Sequence, residues 1–82
     1  MEAIILEVKY FGMIAEKLDK ESESIEFVFD QDEINLQAYF NSRYPQLQGL
    51  NYKTAVNQEI KSSIDKNSGT FEIALLPPFA GG

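Results

Sequence analysis

Two adjacent prolines, Pro77 and Pro78, decide where regular structure must stop in this 82-residue chain. Neither carries an amide hydrogen and both fix φ, so no helix or interior strand runs through them. The core must therefore be built within residues 1–76, leaving residues 77–82 as an extended, flexible tail. The ten residues from Ile73 to Gly82 hold no charge. In an acidic chain, an apolar end tipped by Gly81-Gly82 is hard to explain as a solvated tail. Six residues extended at about 3.3 Å each reach roughly 20 Å. Glycine has no Cβ, so the last pair can thread a slot too narrow for other residues, and the terminal acyl carbon is unhindered. We expect the terminal carboxylate of Gly82 to be the working group, presented on a stiff arm to another protein's active site. Ordinary terminal disorder or an expression scar is the competing account of the glycines taken alone.

A chain this short sits near the lower limit for a core without staples. It has no cysteine, which excludes disulfides, thiolate metal sites and a cysteine nucleophile. It has no histidine either, removing the commonest general base and metal ligand. We therefore expect no bound metal or cofactor. No apolar run approaches a membrane span, and no basic-then-apolar leader opens the chain, so a soluble cytoplasmic protein is expected. The net charge of −6 is uneven: residues 1–33 hold ten acids against three lysines, while residues 34–82 hold three acids against four bases. No basic stripe exists to meet phosphates, which argues against nucleic acid. The acidic half is a solvated face that keeps the domain soluble, or a surface that steers it toward basic partners.

Ala3 to Phe11 alternates as a strand, with Ile4, Leu6, Val8 and Tyr10 on one face and Ile5, Glu7, Lys9 and Phe11 on the other. Gly12 breaks it, and Met13, Ile14 and Leu18 suit a short helical turn. Ser24 to Phe29 reads as a second strand, antiparallel to the first across a charged loop. Asn35 is placed to cap a helix whose stripe is Leu36, Tyr39, Phe40 and Arg43, and Tyr44-Pro45 ends it. A loop turning at Gly49 leads to a brief strand at 55–57, a second short extended or irregular piece at 59–64, a turn at 66–69 and a last strand from Thr70 to Leu76. The order implies an α+β domain with one main helix across one face of a mixed sheet. If the last strand pairs in parallel with the first, the fold is a β-grasp, the ubiquitin-like arrangement. A ferredoxin-like fold is the alternative.

Phosphate loops, metal clusters and nucleophile triads cannot be assembled from these residues. Pairs such as Asp32-Glu33 lie in polar turns, where nothing desolvates them. The domain is poorly equipped to catalyse anything alone. Face parity does offer a surface: Phe11 and Leu76 both point outward and become neighbours if first and last strands pair, beside the exit of the tail. Such patches on small domains usually mark interfaces, although single exposed apolar residues are also ordinary.

Leu75-Leu76-Pro77-Pro78-Phe79-Ala80-Gly81-Gly82 resembles the Pro-Pro-x-x-Gly-Gly ending of the small subunit of molybdopterin synthase (MoaD), a sulfur carrier. Segments 8–18, 43–47 and 55–58 resemble that family's first strand and turn, helix end and third strand, so the likeness covers nearly the whole chain. The family's acidic turn into the last strand is replaced by Asn67-Ser68-Gly69-Thr70. The resemblance implies that an E1-like adenylating enzyme uses ATP to activate the Gly82 carboxylate, which then becomes a thiocarboxylate. The tail would enter the large synthase subunit, in a heterotetramer, and give its sulfur to a pyranopterin precursor during molybdenum cofactor biosynthesis. Gly81 and Gly82 would carry the chemistry and its passage. Phe11, Ile60, Leu76 and Phe79 match positions that dock on partners, and Pro77, Pro78 and Ala80 belong to the inserted arm. A thiazole-synthesis carrier (ThiS), a ubiquitin-like modifier and a plain interaction domain are the alternatives.

Overall fold

The computed structural model describes residues 3–66 and 71–78 of the chain. The alternation at the start does form a strand, β1 (Ala3–Tyr10), whose Leu6, Val8 and Tyr10 are buried while Ile5, Glu7 and Lys9 are exposed. Gly12, at φ +54°, turns the chain into α1 (Gly12–Leu18), which buries Ile14 and Leu18. A positive φ costs little only without a Cβ, so glycine suits this corner. Asp19 closes α1 in the left-handed region, donating its backbone N–H to Ala15 O.

Strand β2 (Ser22–Val28) returns antiparallel to β1, in a register that sets Leu6 opposite Ile25 and Ile4 opposite Phe27. It begins two residues earlier than the sequence pattern suggests. Strand β3 (Glu33–Asn35) was hidden in what reads as a polar lead-in, and it leads directly into α2 (Leu36–Arg43). Asn35 caps that helix as expected, its Oδ1 accepting from Ala38 N–H at 2.8 Å. Pro45 ends α2 and opens a single 3-10 turn, Pro45–Leu47, that seats Leu47 in the core. Gly49 takes φ +90° in the loop that follows.

Strand β4 (Lys53–Val56) joins β5 (Glu59–Ile60) through a two-residue turn at Asn57 and Gln58, both at positive φ. Asn57 also ties the turn to the sheet: its N–H donates to Glu72 O at 2.8 Å, and its Oδ1 accepts from Glu72 N–H at 3.0 Å. β6 (Ser63–Asp65) pairs with β3 as a separate ribbon. β7 (Phe71–Leu76) is the last strand; the turn expected at 66–69 lies mostly outside the described residues.

The main sheet has five strands in the order β2-β1-β7-β4-β5, with β1 and β7 parallel and the other neighbours antiparallel. First and last strands pairing in parallel at the centre, with helices over one face, is the β-grasp arrangement. The ferredoxin-like alternative is ruled out by that central pair. Leu36 and Phe40 of α2, with Ile14 and Leu18 of α1, pack against Leu6, Val8, Phe71, Ile73 and Leu75 in one core. Phe27, Tyr39 and Phe40 extend it as edge-to-face rings 5.0–5.2 Å apart.

Candidate functional site: the outer sheet face and the exit of the tail

Because both helices cover one face of the sheet, the other is left to solvent. Strand register decides what stands on it. Lys9 lies beside Ala74, Ala74 beside Ala55, and Ala55 beside Ile60, so one row crosses β1, β7, β4 and β5. The next row toward the C-terminal end of β7 pairs Leu76 with Lys53. Phe11 continues the outward parity of β1 just past the last parallel pair, Tyr10 beside Leu75. Ile60 is 62% exposed and Phe11 44% exposed, while Leu76 is half-buried. The result is an apolar strip of Phe11, Leu76, Ala74 and Ile60 running across a buried Ala55, fringed by Lys9 and Lys53.

The structure thus brings Phe11, Leu76 and Ile60 to one face of the sheet. Ala55 and Ala74 complete the strip; small size rather than hydrophobicity hid Ala55, since alanine at mid-strand gives little pattern signal. Met13, 40% exposed on α1, adds a second large apolar group close to Phe11 in sequence.

β7 delivers the tail at the end of this strip. Pro77 is half-buried and Pro78 exposed. A Cβ placed on Gly12 would come within 3.1 Å of Pro77 Cγ. The β1–α1 corner therefore supplies a flat backbone seat for the first proline of the arm. Phe79, Ala80, Gly81 and Gly82 lie outside the described residues, so their places in the sequence reading are not located here.

Ionisable groups give the strip no acid–base machinery. The one dense polar network lies on the helix side, around Glu23. Tyr10 and Tyr44 both donate their hydroxyls to Glu23 Oε2, while Lys20 and Arg43 approach Oε1 at 3.5 and 3.4 Å. Burial works to raise the Glu23 pKa, but the two tyrosine hydrogen bonds and the two cations outweigh it and hold the carboxyl below its ordinary range. Burial, reinforced by Glu23, pushes Tyr10 the other way, well above the usual phenol. Tyr52, buried beneath the sheet end, is pushed up to about 12 by desolvation. A carboxylate satisfied by four partners is a clamp between β1, β2 and α2, not a base. Among the described residues, no group of three or more metal-ligating side chains assembles and no helix is long and apolar enough to cross a membrane.

Fold and surface together define a small ubiquitin-like domain. No protein-family model matches the chain. Solved structures with the same fold include a protein described as molybdopterin converting factor, subunit 1, from Pyrococcus furiosus, at TM-score 0.72 and 16% identity, covering 93% of this chain and 99% of that one. SAMP1 from Haloferax volcanii matches at TM-score 0.67 and 20% identity, over 95% and 99% of the two chains. The HVO 2177 protein of the same organism matches at 0.67 and 17%, over 98% and 88%. At such identities the likeness is one of fold, and the fold agrees with the resemblance read from the sequence.

Proposed function

We propose that this chain is a sulfur-carrier protein of the kind that serves as the small subunit of molybdopterin synthase, with Gly82 as the atom-bearing residue. The observation that carries the reading is the placement of the tail. The central strand β7 runs out at Leu76 beside an unpartnered apolar strip, and Pro77 then launches the uncharged arm from a seat on Gly12. A partner that docks on the strip receives the arm in a fixed direction. The absence of cysteine and histidine supports the same reading, because the terminal carboxylate is the remaining acyl group suited to carrying sulfur.

The chemistry follows from the carboxylate's weakness as an electrophile. A Gly82 oxygen attacks the α-phosphate of ATP in the activating enzyme, pyrophosphate leaves, and an acyl-adenylate forms. The terminal sulfur of a donor persulfide adds to the acyl carbon and expels AMP, giving an acyl disulfide; a second thiol of the donor then attacks the donor's sulfur in that S–S bond, closing a donor disulfide and releasing the Gly82 thiocarboxylate. In the large subunit that sulfur attacks a carbon of the pterin precursor and displaces an oxygen leaving group, and water then hydrolyses the resulting thioester, leaving sulfur on the precursor and restoring the Gly82 carboxylate. The domain itself contributes presentation, not catalysis.

Intact-mass analysis tests this. Incubation with ATP and a cognate activating enzyme should release pyrophosphate, and a sulfur donor should then add the oxygen-to-sulfur mass difference on the terminal peptide. Added mass on an internal residue, or none with a verified activator, overturns the reading.

The likeness to SAMP1, a ubiquitin-like small archaeal modifier, favours a second reading in which the adenylate is passed to lysine amines. The two share activation and part at the acceptor. Lysine-linked conjugates retaining the Gly-Gly remnant support the modifier; sulfur transfer to a pterin without conjugates supports the carrier.

A further inference from the structure

The apolar strip lies toward the β4–β5 side of the sheet; the opposite margin is a free strand edge. β2 ends the strand order, and among the described residues no strand pairs with its outer side. Which backbone groups are free follows from the register. Tyr10 N–H donates to Glu21 O at 2.9 Å, so Tyr10 and Glu21 are a hydrogen-bonded pair. Antiparallel ladders alternate, so Val8–Glu23, Leu6–Ile25 and Ile4–Phe27 are bonded pairs too. The N–H and C=O groups of Ser22, Ser24, Glu26 and Val28 therefore point away from the sheet. All four side chains are exposed.

Such an edge is a template for another strand, and proteins that do not use one normally blunt it. Proline, lysine and a bulge are missing here, and the charges the strand does carry, Glu23 and Glu26, are acidic. β2 spans seven residues and keeps a continuous ladder to β1. A groove continues the edge on the helix side. Phe27 of β2 meets Tyr39 of α2 edge-on at 5.2 Å, and Tyr39 lines a shallow depression of about 390 Å³ with Asp30, Glu33, Ile34, Ala38 and Ser42.

Charge selects the occupant. Glu21, Glu26 and Asp30 flank the free edge, and among the described residues Glu26 and Asp30 have no cation within 4.0 Å. Glu23 is spent on its internal clamp. A second copy would bring an edge of the same sign, whereas a basic segment meets complementary charge. We propose that β2 is a docking edge for an extended peptide that alternates basic and apolar residues. Its backbone pairs with Ser22, Ser24, Glu26 and Val28. Its basic side chains lie on the outer face beside Glu26, and its apolar ones lie over Phe27 and Tyr39. The surface is separate from the tail and its strip, so it stands whether or not Gly82 carries sulfur.

The test titrates the full chain with a blocked peptide alternating lysine and valine, followed by backbone amide NMR. The amides of Ser22, Ser24, Glu26 and Val28 should shift together and gain protection from hydrogen exchange. Ser24→Pro deletes an outward N–H without touching the β1 ladder, losing besides it only the exposed hydrogen bond that Ser24 Oγ donates to Glu7 Oε2 at 2.7 Å, and should weaken binding at least about tenfold, since each factor of ten corresponds to about 1.4 kcal/mol, the order of a lost hydrogen bond. Glu26→Lys should weaken it comparably while leaving the edge donors in place, which separates loss of charge from any misfolding of the proline variant. A glutamate–valine peptide should not bind. The proposal is overturned by shifts centred on Phe11 and Ile60 instead, by binding indifferent to both substitutions, by no binding at millimolar peptide, or by sedimentation showing that β2 pairs two copies of the chain.

Discussion

Gly12 and Glu23 show how single residues set this molecule's behaviour. Gly12 combines a φ of +54° with Pro77 so close that a Cβ would lie 3.1 Å from its ring. Gly12→Val should therefore lose about 1–2 kcal/mol from the left-handed backbone alone, read as a lower urea midpoint. It should also displace Pro77, seen as amide shifts in Leu76 and Pro78's neighbours. Glu23 governs acid sensitivity. Its folded pKa is depressed below the unfolded value of about 4.3, so its contribution to stability is fully present above that pH. The contribution is lost as pH falls through the lower, folded value. Glu23→Gln should lower stability at neutral pH by roughly 1–3 kcal/mol, the scale of hydrogen bonds to a charged group. It should also flatten the acid limb of a stability-against-pH curve measured by denaturant melts. An unchanged acid limb would mean that other carboxylates control it.

At the scale of elements, the longer periodic stretches were legible and the short ones were not. β1, β2, α2 and β7 were readable because alternation or a three-and-four spacing persisted over six residues or more. β3 was lost because three residues are too few to establish a period and Glu33 reads as part of a polar segment, while β6 was met only as the end of the short extended or irregular piece at 59–64. The 3-10 turn at Pro45 had only a single buried leucine to announce it. The apolar strip was half visible: Phe11, Leu76 and Ala74 followed from parity, but Ala55 needed the register. Two predictions belong here. Asn35→Ala removes the cap of α2 and should cost about 1 kcal/mol in thermal or chemical melts. Leu76→Glu puts a charge in the strip at a half-buried site and should weaken binding of a large synthase subunit by several kcal/mol, the cost of an unpaired buried charge. Calorimetry checks it, and unchanged affinity would remove this face as the docking surface.

For the whole molecule, the proposed function divides labour between a body that folds and an arm that acts. Deleting Gly81-Gly82 should leave the melting temperature unchanged and abolish sulfur transfer, measured by paired melts and a reconstituted assay. The sheet makes a different demand. Its central pair joins residues 6–10 to residues 71–75, so nearly the entire sequence separates the two strands at the middle of the main sheet. Closing that distance must come before the pair can reward it, which places the fold among high-contact-order topologies that form slowly. A chain cut after residue 70 should show neither cooperative unfolding nor protected amides in β1. During synthesis the same geometry acts as a proofreading order. The sheet cannot close until its last strand has been made, so Pro77 reaches its seat beside Gly12 only in a body already complete.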